Sequence, residues 1–252
     1  MILVRSFLSE MLKIRRSSVM WLCILGAIIL PVVFTLRNIS VGFSINEMVK
    51  PDAWMILYSK IAQPFTGFIM PIGIIMLCSL ITQIEYRNNN WKQVHCTPQR
   101  YATIFLAKYA VLLVLMVLTF ILLNISIYLY VVTPALLVDG QMPNLAVPWD
   151  HFLTESIKCF IVGLPVIGLQ YLISLRFRSF MIPVGVGFGF FVFSLLAMSS
   201  KVGIISPYTF SFYYINGQMP DLGHSHYMLC ILIFVGLSIA NFILYVFKKD
   251  KT

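Results

Sequence analysis

The 252-residue sequence has few charged residues and no polar segment long enough to fold by itself. Asp, Glu, Lys and Arg together make up 11% of the chain, whereas a soluble domain has roughly 25%. Hydrophobic residues account for 60%. This composition excludes a separate soluble domain with its own core. We therefore expect one integral membrane domain over residues 1–252.

Motifs for chemistry are also missing. No Gly-x-x-x-x-Gly-Lys-Ser/Thr sequence is present, so the chain does not bind ATP through a P-loop. No Ser/His/Asp set and no carboxylate pair lies within the apolar stretches, and we expect no catalytic residues. The five cysteines have no Cys-x-x-Cys spacing, which indicates small buried hydrophobes. We expect no metal site and no bound cofactor.

Ionisable side chains are absent from the interiors of the apolar stretches. Proton-coupled carriers and voltage sensors need such groups inside the membrane, so this absence argues against both classes. Lys108 and Lys158 are at the ends of apolar stretches, where we expect their amines to reach the membrane surface. Sodium coupling through backbone carbonyls stays open.

Six apolar stretches of membrane-spanning length are present. A helix needs about 20 apolar residues to cross a bilayer, and unbroken apolar runs favour helices over the alternating strands of a membrane barrel. The predicted fold class is an all-α membrane protein with six transmembrane helices. The predicted spans are residues 19–36, 61–83, 104–133, 157–175, 180–199 and 228–247.

Basic residues are concentrated on one side of these spans. That side holds most of the 18 Lys and Arg residues, whereas acidic residues slightly outnumber basic ones on the other. Basic loops stay in the cytoplasm, so we predict a multi-pass plasma-membrane protein with both termini cytoplasmic. The basic side comprises Arg5, Lys13, Arg15, Arg16, Arg87, Lys92, Arg100, Lys108, Arg176, Arg178, Lys248, Lys249 and Lys251.

Residues 1–18, before the first span, show helical periodicity. The apolar residues at this spacing are Val4, Phe7, Leu8, Met11 and Ile14. Polar residues fall elsewhere on the same helix, at Arg5, Ser9, Lys13 and Arg16. The pattern predicts an amphipathic helix that lies along the inner membrane interface. No small-x-small cleavage site follows the first apolar run, so we expect no cleaved signal peptide.

Two glycines of the fifth apolar stretch, Gly185 and Gly189, are four residues apart. This spacing lets another helix approach closely. Packing within the subunit and contact with a second subunit are both compatible with it.

The loop between the second and third spans is the most specific segment of the chain. It reads Glu85-Tyr-Arg-Asn-Asn-Asn-Trp-Lys-Gln-Val-His-Cys-Thr-Pro-Gln-Arg-Tyr. It resembles the permease subunits of type-two ATP-binding-cassette (ABC) exporters, and among them the bacteriocin or lantibiotic immunity permeases. The residues that carry the resemblance are Glu85, Trp91, Lys92, Pro98, Arg100 and Lys108. The layout of the whole chain is similar too.

The resemblance implies that this loop contacts a separate ATPase. In such permeases the loop forms a short coupling helix that docks in a groove of the ATPase, which uses ATP and Mg²⁺. A helix ended by Pro98 is rigid, and Trp91 is an anchor of the kind found at binding hot spots. A basic turn that only follows the charge rule is the alternative. The residues assigned to the contact are Glu85, Arg87, Trp91, Lys92, Pro98 and Arg100.

The segment 201–227 is too apolar for a simple solvent-exposed loop. Related exporters have a helical hairpin that dips back into the outer leaflet at this place. The resemblance assigns Pro207, Tyr208 and Phe210 to such a re-entrant segment. An aromatic belt at the membrane interface is the alternative.

The implied function is that of a permease subunit of an ATP-driven exporter. Two permease subunits, identical or related, would line a path with their first, second and fifth spans. The uncharged walls favour an amphipathic or hydrophobic substrate such as an antimicrobial peptide, which would give bacteriocin immunity and antibiotic resistance. An exporter of a lipid, polysaccharide or drug, and a secondary carrier outside the ABC class, are the alternatives.

Overall fold

The computed structural model describes residues 2–15, 17–41, 52–86, 101–134, 136–137, 146–199, 206–215 and 225–247. These residues are almost all helical and contain no strand, which confirms the all-α fold class. The helices are α1 (Ile2–Arg15), α2 (Ser18–Val41), α3 (Ala53–Pro64), α4 (Met70–Tyr86), α5 (Tyr101–Pro134), α6 (Trp149–Arg176), α7 (Met181–Leu196), α8 (Pro207–Ile215) and α9 (Ser225–Phe247). A π-helical turn, Phe65–Ile69, joins α3 to α4, and a 3₁₀ turn, Ala197–Ser199, follows α7.

Among the described residues, five continuous helical stretches are long and apolar enough to cross a membrane, and α7 is a shorter apolar helix. Two of them begin earlier than the predicted spans, at Ala53 and at Trp149. Rings near the starts of these two helices pack together: Trp54 stands edge-on to Phe152 with ring centroids 6.4 Å apart. The five stretches are Ser18–Ser40, Ala53–Ile84, Ala102–Thr133, Trp149–Arg176 and His226–Val246.

The second apolar stretch is interrupted at its middle by the π-helical turn. Pro64 ends α3 directly before the turn, and a proline has no N–H for the regular helical ladder. A π turn inserts one extra residue and rotates the following side chains, and such turns are frequent at functional sites. Here the turn leaves the ring of Phe68 44% exposed while Phe65 and Thr66 are buried.

α1 has three distinct sides. Ser6, Glu10 and Ile14, four residues apart, are buried, and α1 makes its most extensive contacts with α5. A second side is apolar and exposed, with Val4, Leu8 and Leu12. The third side is polar and carries Arg5, Ser9 and Lys13. The sequence therefore identified the helix correctly but not its protein-facing side, because that side holds a buried carboxylate.

The helices associate in two groups. The first helix group is α1, α2 and α5, and the second helix group is α4, α6, α7, α8 and α9. The buried side of α2 has small residues four apart, Val19, Cys23 and Ala27, which let α2 approach α5 closely. In the second group, the side chain of Leu237 of α9 packs directly over Gly168 of α6. α5 contacts the second group much less extensively than it contacts α2, and α2 joins the two groups by packing against α4 about as extensively as α7 does.

Candidate functional site

The loop assigned to the ATPase contact lies almost entirely outside the described residues. Glu85 is in the last turn of α4, and the chain is described again from Tyr101, the first residue of α5. The contact with an ATPase therefore stays a prediction for this loop. The assigned residues outside the described ranges are Arg87, Trp91, Lys92, Pro98 and Arg100.

A buried ion pair joins α1 to α5 two turns after that loop. Lys108 Nζ donates to Glu10 Oε2 at 2.9 Å, and the other carboxylate oxygen of Glu10 accepts from Lys13. Lys108 is only 2% exposed, so the expectation that its amine reaches the membrane surface is wrong. The reason is that α1 covers this part of α5 and brings a carboxylate with it. Lys158, by contrast, is partly exposed and pairs with Glu155 at 2.8 Å.

The charge state of Glu10 follows from these partners. Burial by itself would raise the pKa of the Glu10 carboxyl, but the charge of Lys108 and the hydrogen bonds from Lys13 and Lys108 outweigh it. The net result is a pKa below the ordinary value of 4.5. Glu10 is therefore ionised at neutral pH, and the pair links α1 to the helix that follows the predicted coupling loop.

The glycines of α7 divide into two kinds. A Cβ placed on Gly185 or Gly189 would meet nothing within 4 Å, so neither packs against described residues of this subunit. A Cβ on Gly187 would lie 2.3 Å from Oε1 of Gln170. Gly187 therefore makes the close contact inside the subunit, whereas a subunit contact through Gly185 and Gly189 stays a prediction.

Gln170 is the polar centre of the second helix group. Its side chain is fully buried, and its Nε2 donates to the Pro183 carbonyl of α7 at 3.0 Å. Its Oε1 accepts from the Tyr208 hydroxyl of α8 at 2.8 Å. One amide thus holds α6, α7 and α8 together where hydrocarbon surroundings offer no water as a substitute partner.

Pro207, Tyr208 and Phe210, the residues assigned to the re-entrant segment, lie in α8, which packs against α6, α7 and the π-helical turn. Tyr208 is buried, and Phe210 packs in a small apolar cluster with Val162 and Cys230. Two further tyrosines hold the other end of α8: the Tyr213 hydroxyl donates to the Met198 carbonyl at 2.8 Å, and the Tyr214 hydroxyl donates to Glu155 at 2.6 Å. The depth of α8 in a bilayer stays a prediction.

An aromatic face is formed where the π-helical turn meets α7 and α8. It consists of Phe68, Phe188, Phe191 and Phe212. The Phe68 ring stands edge-on to Phe191, with ring centroids 6.4 Å apart, and edge-on to Phe212 at 6.1 Å. Phe188 is 48% exposed and extends the face along α7. The face carries no ionisable group.

Sequence reasoning missed Glu10, Gln170 and Phe68. Glu10 is the single acid of a basic leader, and Gln170 is an amide inside an apolar stretch. Both are signals for a buried polar contact, because such groups are costly in an apolar environment without a partner. Nothing in the sequence marks Phe68, because its exposure depends on the rotation of the π turn.

Comparison with known proteins agrees with this architecture. Residues 6–195 match the family described as ABC-2 family transporter protein, from α1 almost to the end of α7. The chain belongs to the ABC-2 transporter family. The prediction of an ABC permease is therefore confirmed: the permease is a membrane component of an ABC transporter and is not itself the ATPase. The family also implies an ABC-type ATPase as partner. No curated protein matches this sequence.

Proposed function

We propose that this permease exports an amphipathic or hydrophobic substrate, with an antimicrobial peptide as the first candidate, and that ATP hydrolysis in the partner ATPase drives export. The observation that carries this proposal is the aromatic face at the π-helical turn. Its rings come from three elements, and Phe68 and Phe188 are about half exposed. Half-exposed, edge-on rings suit the aromatic and aliphatic side chains of a peptide embedded in the membrane.

The absence of charge on this face supports an apolar ligand. An ionic substrate in the membrane needs a fixed counter-charge or backbone dipoles at its site. The buried carboxylate of Glu10 is not part of this face, because it is paired with Lys108 of α5. Selection by shape and apolar contact is therefore the mode that the described residues favour.

The test is protection of a sensitive bacterial host that expresses the permease with its ATPase and any sibling permease. Cells are challenged with cationic and lantibiotic-type peptides, and peptide is measured in cells and medium. Protection should require ATP hydrolysis, and Phe68→Ala should weaken it. Phe193→Ala is the matched control, because Phe193 is 60% exposed on α7 outside the aromatic face. Expulsion of a lipid or small drug but of no peptide would refute the immunity role and leave the alternative substrates.

We further propose that the ATPase binds through residues 85–100. The support is the family membership together with the pattern at Trp91, Pro98 and Arg100. Truncation of an aromatic anchor costs roughly 2 kcal/mol or more of binding, so Trp91→Ala combined with Arg100→Ala should weaken co-purification of the ATPase without loss of membrane insertion. Normal recovery of the ATPase would leave the loop as a topology signal only.

A second permease subunit, identical or related, is proposed to contact α7 through Gly185 and Gly189. The support is the open space above both glycines. Leucine at both positions should reduce the dimer fraction in mild detergent, whereas leucine at Gly236 of α9, which also faces open space, should not. An unchanged dimer fraction would place the subunit contact elsewhere.

Both termini are proposed to be cytoplasmic, from the distribution of basic residues. Single cysteines at Leu145 and at Asn89, in a cysteine-free background, are treated with an impermeant thiol reagent in intact cells. Position 145 should be labelled and position 89 should not. The reverse pattern would overturn the orientation and the ATPase contact with it.

A further inference from the structure

The turn between α1 and α2 fixes the direction of α1. The backbone N–H of Ser17 donates to the Ile14 carbonyl at 2.8 Å, and the Ser17 hydroxyl donates to the same carbonyl at 2.9 Å. That hydroxyl also accepts from the Val19 N–H at 3.2 Å, so it caps the start of α2. The side chain of Ile14 is buried in the core. The last turn of α1 is therefore attached both to α2 and to the helix bundle.

The charged residues of α1 are divided between its buried and its exposed surface. The carboxylate of Glu10 is directed at α5, where one oxygen accepts from Lys108 and the other from Lys13. Glu10 is the only acidic residue of α1, and Arg5, Lys13 and Arg15 are exposed. The exposed surface of α1 therefore carries three basic side chains and no acidic one.

The polar side of α1 presents a row of hydrogen-bond donors. Arg5, Ser9 and Lys13 are four residues apart and exposed, so they form one stripe about 12 Å long. Among the described residues, Arg5 and Ser9 make no side-chain hydrogen bond or ion pair. The side chain of Lys13 is 38% exposed, and Glu10 takes one of the three N–H donors of its ammonium. The stripe can therefore donate to the oxygens of an anion.

Next to this stripe, the apolar side of α1 is also uncovered. Val4, Leu8 and Leu12 are each more than half exposed. α1 has 14 residues and is about 21 Å long, too short to cross the hydrocarbon core of a bilayer. Such a helix lies in the membrane interface, with its apolar side against acyl chains and its basic side among headgroups. The ligand that fits both sides has an anionic head and apolar tails.

We propose that α1 is a binding site for an anionic phospholipid, whose phosphate accepts hydrogen bonds from Arg5, Ser9 and Lys13 and whose acyl chains lie against the apolar side of α1. A guanidinium binds phosphate oxygens in a bidentate manner, and an ammonium adds a second charge-assisted donor. A zwitterionic headgroup fits less well, because its own ammonium meets the basic stripe. The proposal goes beyond transport and does not depend on which substrate is exported.

The attachment of α1 to the bundle favours this binding. The cap at Ser17 and the bond from Lys108 to Glu10 hold the stripe in one direction before lipid arrives. A preformed site avoids the entropic cost of ordering a free helix on the membrane. The same attachment makes lipid a stabilising ligand, because the site exists only while α1 is packed on α5.

The test measures the melting temperature of the purified full-length permease in a neutral detergent, with added phosphatidylglycerol or phosphatidylcholine. Phosphatidylglycerol should raise it by several degrees more than phosphatidylcholine does. Arg5→Gln combined with Lys13→Gln should remove most of this difference. The matched control is Arg176→Gln combined with Arg178→Gln, which removes two exposed charges elsewhere and should keep the difference. Equal losses in both double variants would show attraction by net charge alone and would overturn the site.

A single variant keeps the test valid if the double variant does not fold. Arg5 has no partner within the described fold, so Arg5→Gln should leave the melting temperature without lipid unchanged. A basic residue near an anionic surface contributes about fivefold to binding, so a titration with phosphatidylglycerol, followed by native mass spectrometry, should show that loss for Arg5→Gln and recovery for Arg5→Lys. Unchanged binding by Arg5→Gln would refute the proposal.

A soluble headgroup distinguishes a lipid from a free phosphate. Glycerol phosphate carries the phosphate without acyl chains and cannot use the apolar side of α1. At the concentration of phosphatidylglycerol that stabilises the permease, it should leave the melting temperature unchanged. Equal stabilisation by glycerol phosphate would overturn the lipid as the ligand.

Discussion

The first and second helix groups stabilise their buried polar residues in different ways. In the first group, Lys108 is buried and neutralised by Glu10 from a separate short helix. In the second, the Lys158–Glu155 pair stays partly exposed, and the buried link is the neutral amide of Gln170. A buried charge makes the stability of one group depend on oppositely charged partners, whereas the neutral amide of Gln170 links three helices by hydrogen bonds.

The largest effect is expected from breaking the buried pair of the first group. Lys108→Met leaves the Glu10 carboxylate without its buried partner, and breaking such a pair typically costs about 3–5 kcal/mol. Lys158→Met should cost about 1 kcal/mol or less, because exposed pairs contribute little. Thermal unfolding of the purified variants in lipid–detergent micelles measures both. Equal shifts in the melting temperature would contradict the distinction between the groups.

Two controls sharpen this comparison. Glu10→Leu added to Lys108→Met should recover much of the lost stability, because no buried charge remains. The pH dependence supplies the other control: since the folded pKa of Glu10 is below its ordinary value of 4.5, the pair stabilises the protein fully above that pH. The stabilisation is lost as the pH falls through the folded pKa, so the difference between wild type and Lys108→Met should shrink in acid.

The second effect concerns the glycines of α7 in the second group. Gly187→Ala puts a methyl group 2.3 Å from Oε1 of Gln170, so the amide must move and its links to α7 and α8 are strained. Overpacking of this kind costs about 1–3 kcal/mol. Gly185→Ala and Gly189→Ala meet open space within the subunit and should leave the melting temperature of the monomer fraction unchanged or slightly raised. A larger loss at Gly185 than at Gly187 would reverse the packing assignment.

A smaller effect is expected from removing the tyrosine hydroxyls that hold α8 in place. Tyr208→Phe removes one hydroxyl and leaves Oε1 of Gln170 buried without that donor, which costs about 1–2 kcal/mol. Tyr213→Phe should cost less, since its partner, the Met198 carbonyl, lies in a residue that is not fully buried. The measurement is again the melting temperature of the two variants. An equal or larger loss for Tyr213→Phe would show that Gln170 is not the main anchor of α8.

The smallest effect is a gain at the boundary between the groups. A Cβ on Gly73 meets nothing within 4 Å, and Gly73 lines a cavity of about 30 Å³ between α2 and α4. Gly73→Ala should therefore stabilise the protein by up to about 1 kcal/mol, because alanine restricts the unfolded chain and favours the helix. Gly168→Ala is the contrasting variant, since its Cβ would come within 2.9 Å of Leu237. A loss of stability from Gly73→Ala would show that the boundary is already tightly packed.

The amino-acid sequence by itself determined the helical class and pointed to the five long apolar helices and the shorter one at α7. The physical reason is that long uncharged runs have only one stable backbone arrangement in hydrocarbon, and this needs no knowledge of neighbours. The loop with Trp91 and Pro98 also pointed to the ABC permeases, and the family match over residues 6–195 agrees.

Tertiary structure decided which residues on those helices touch. Val4 and Leu8 carry the periodicity of α1, yet the side that packs on α5 contains Glu10, because Lys108 is there to receive it. Gly185 and Gly189 have the packing spacing, yet Gly187 lies against Gln170. Such pairings depend on the rotation of one helix against another. Residues that are distant in the chain determine this rotation together, so no local sequence pattern encodes it.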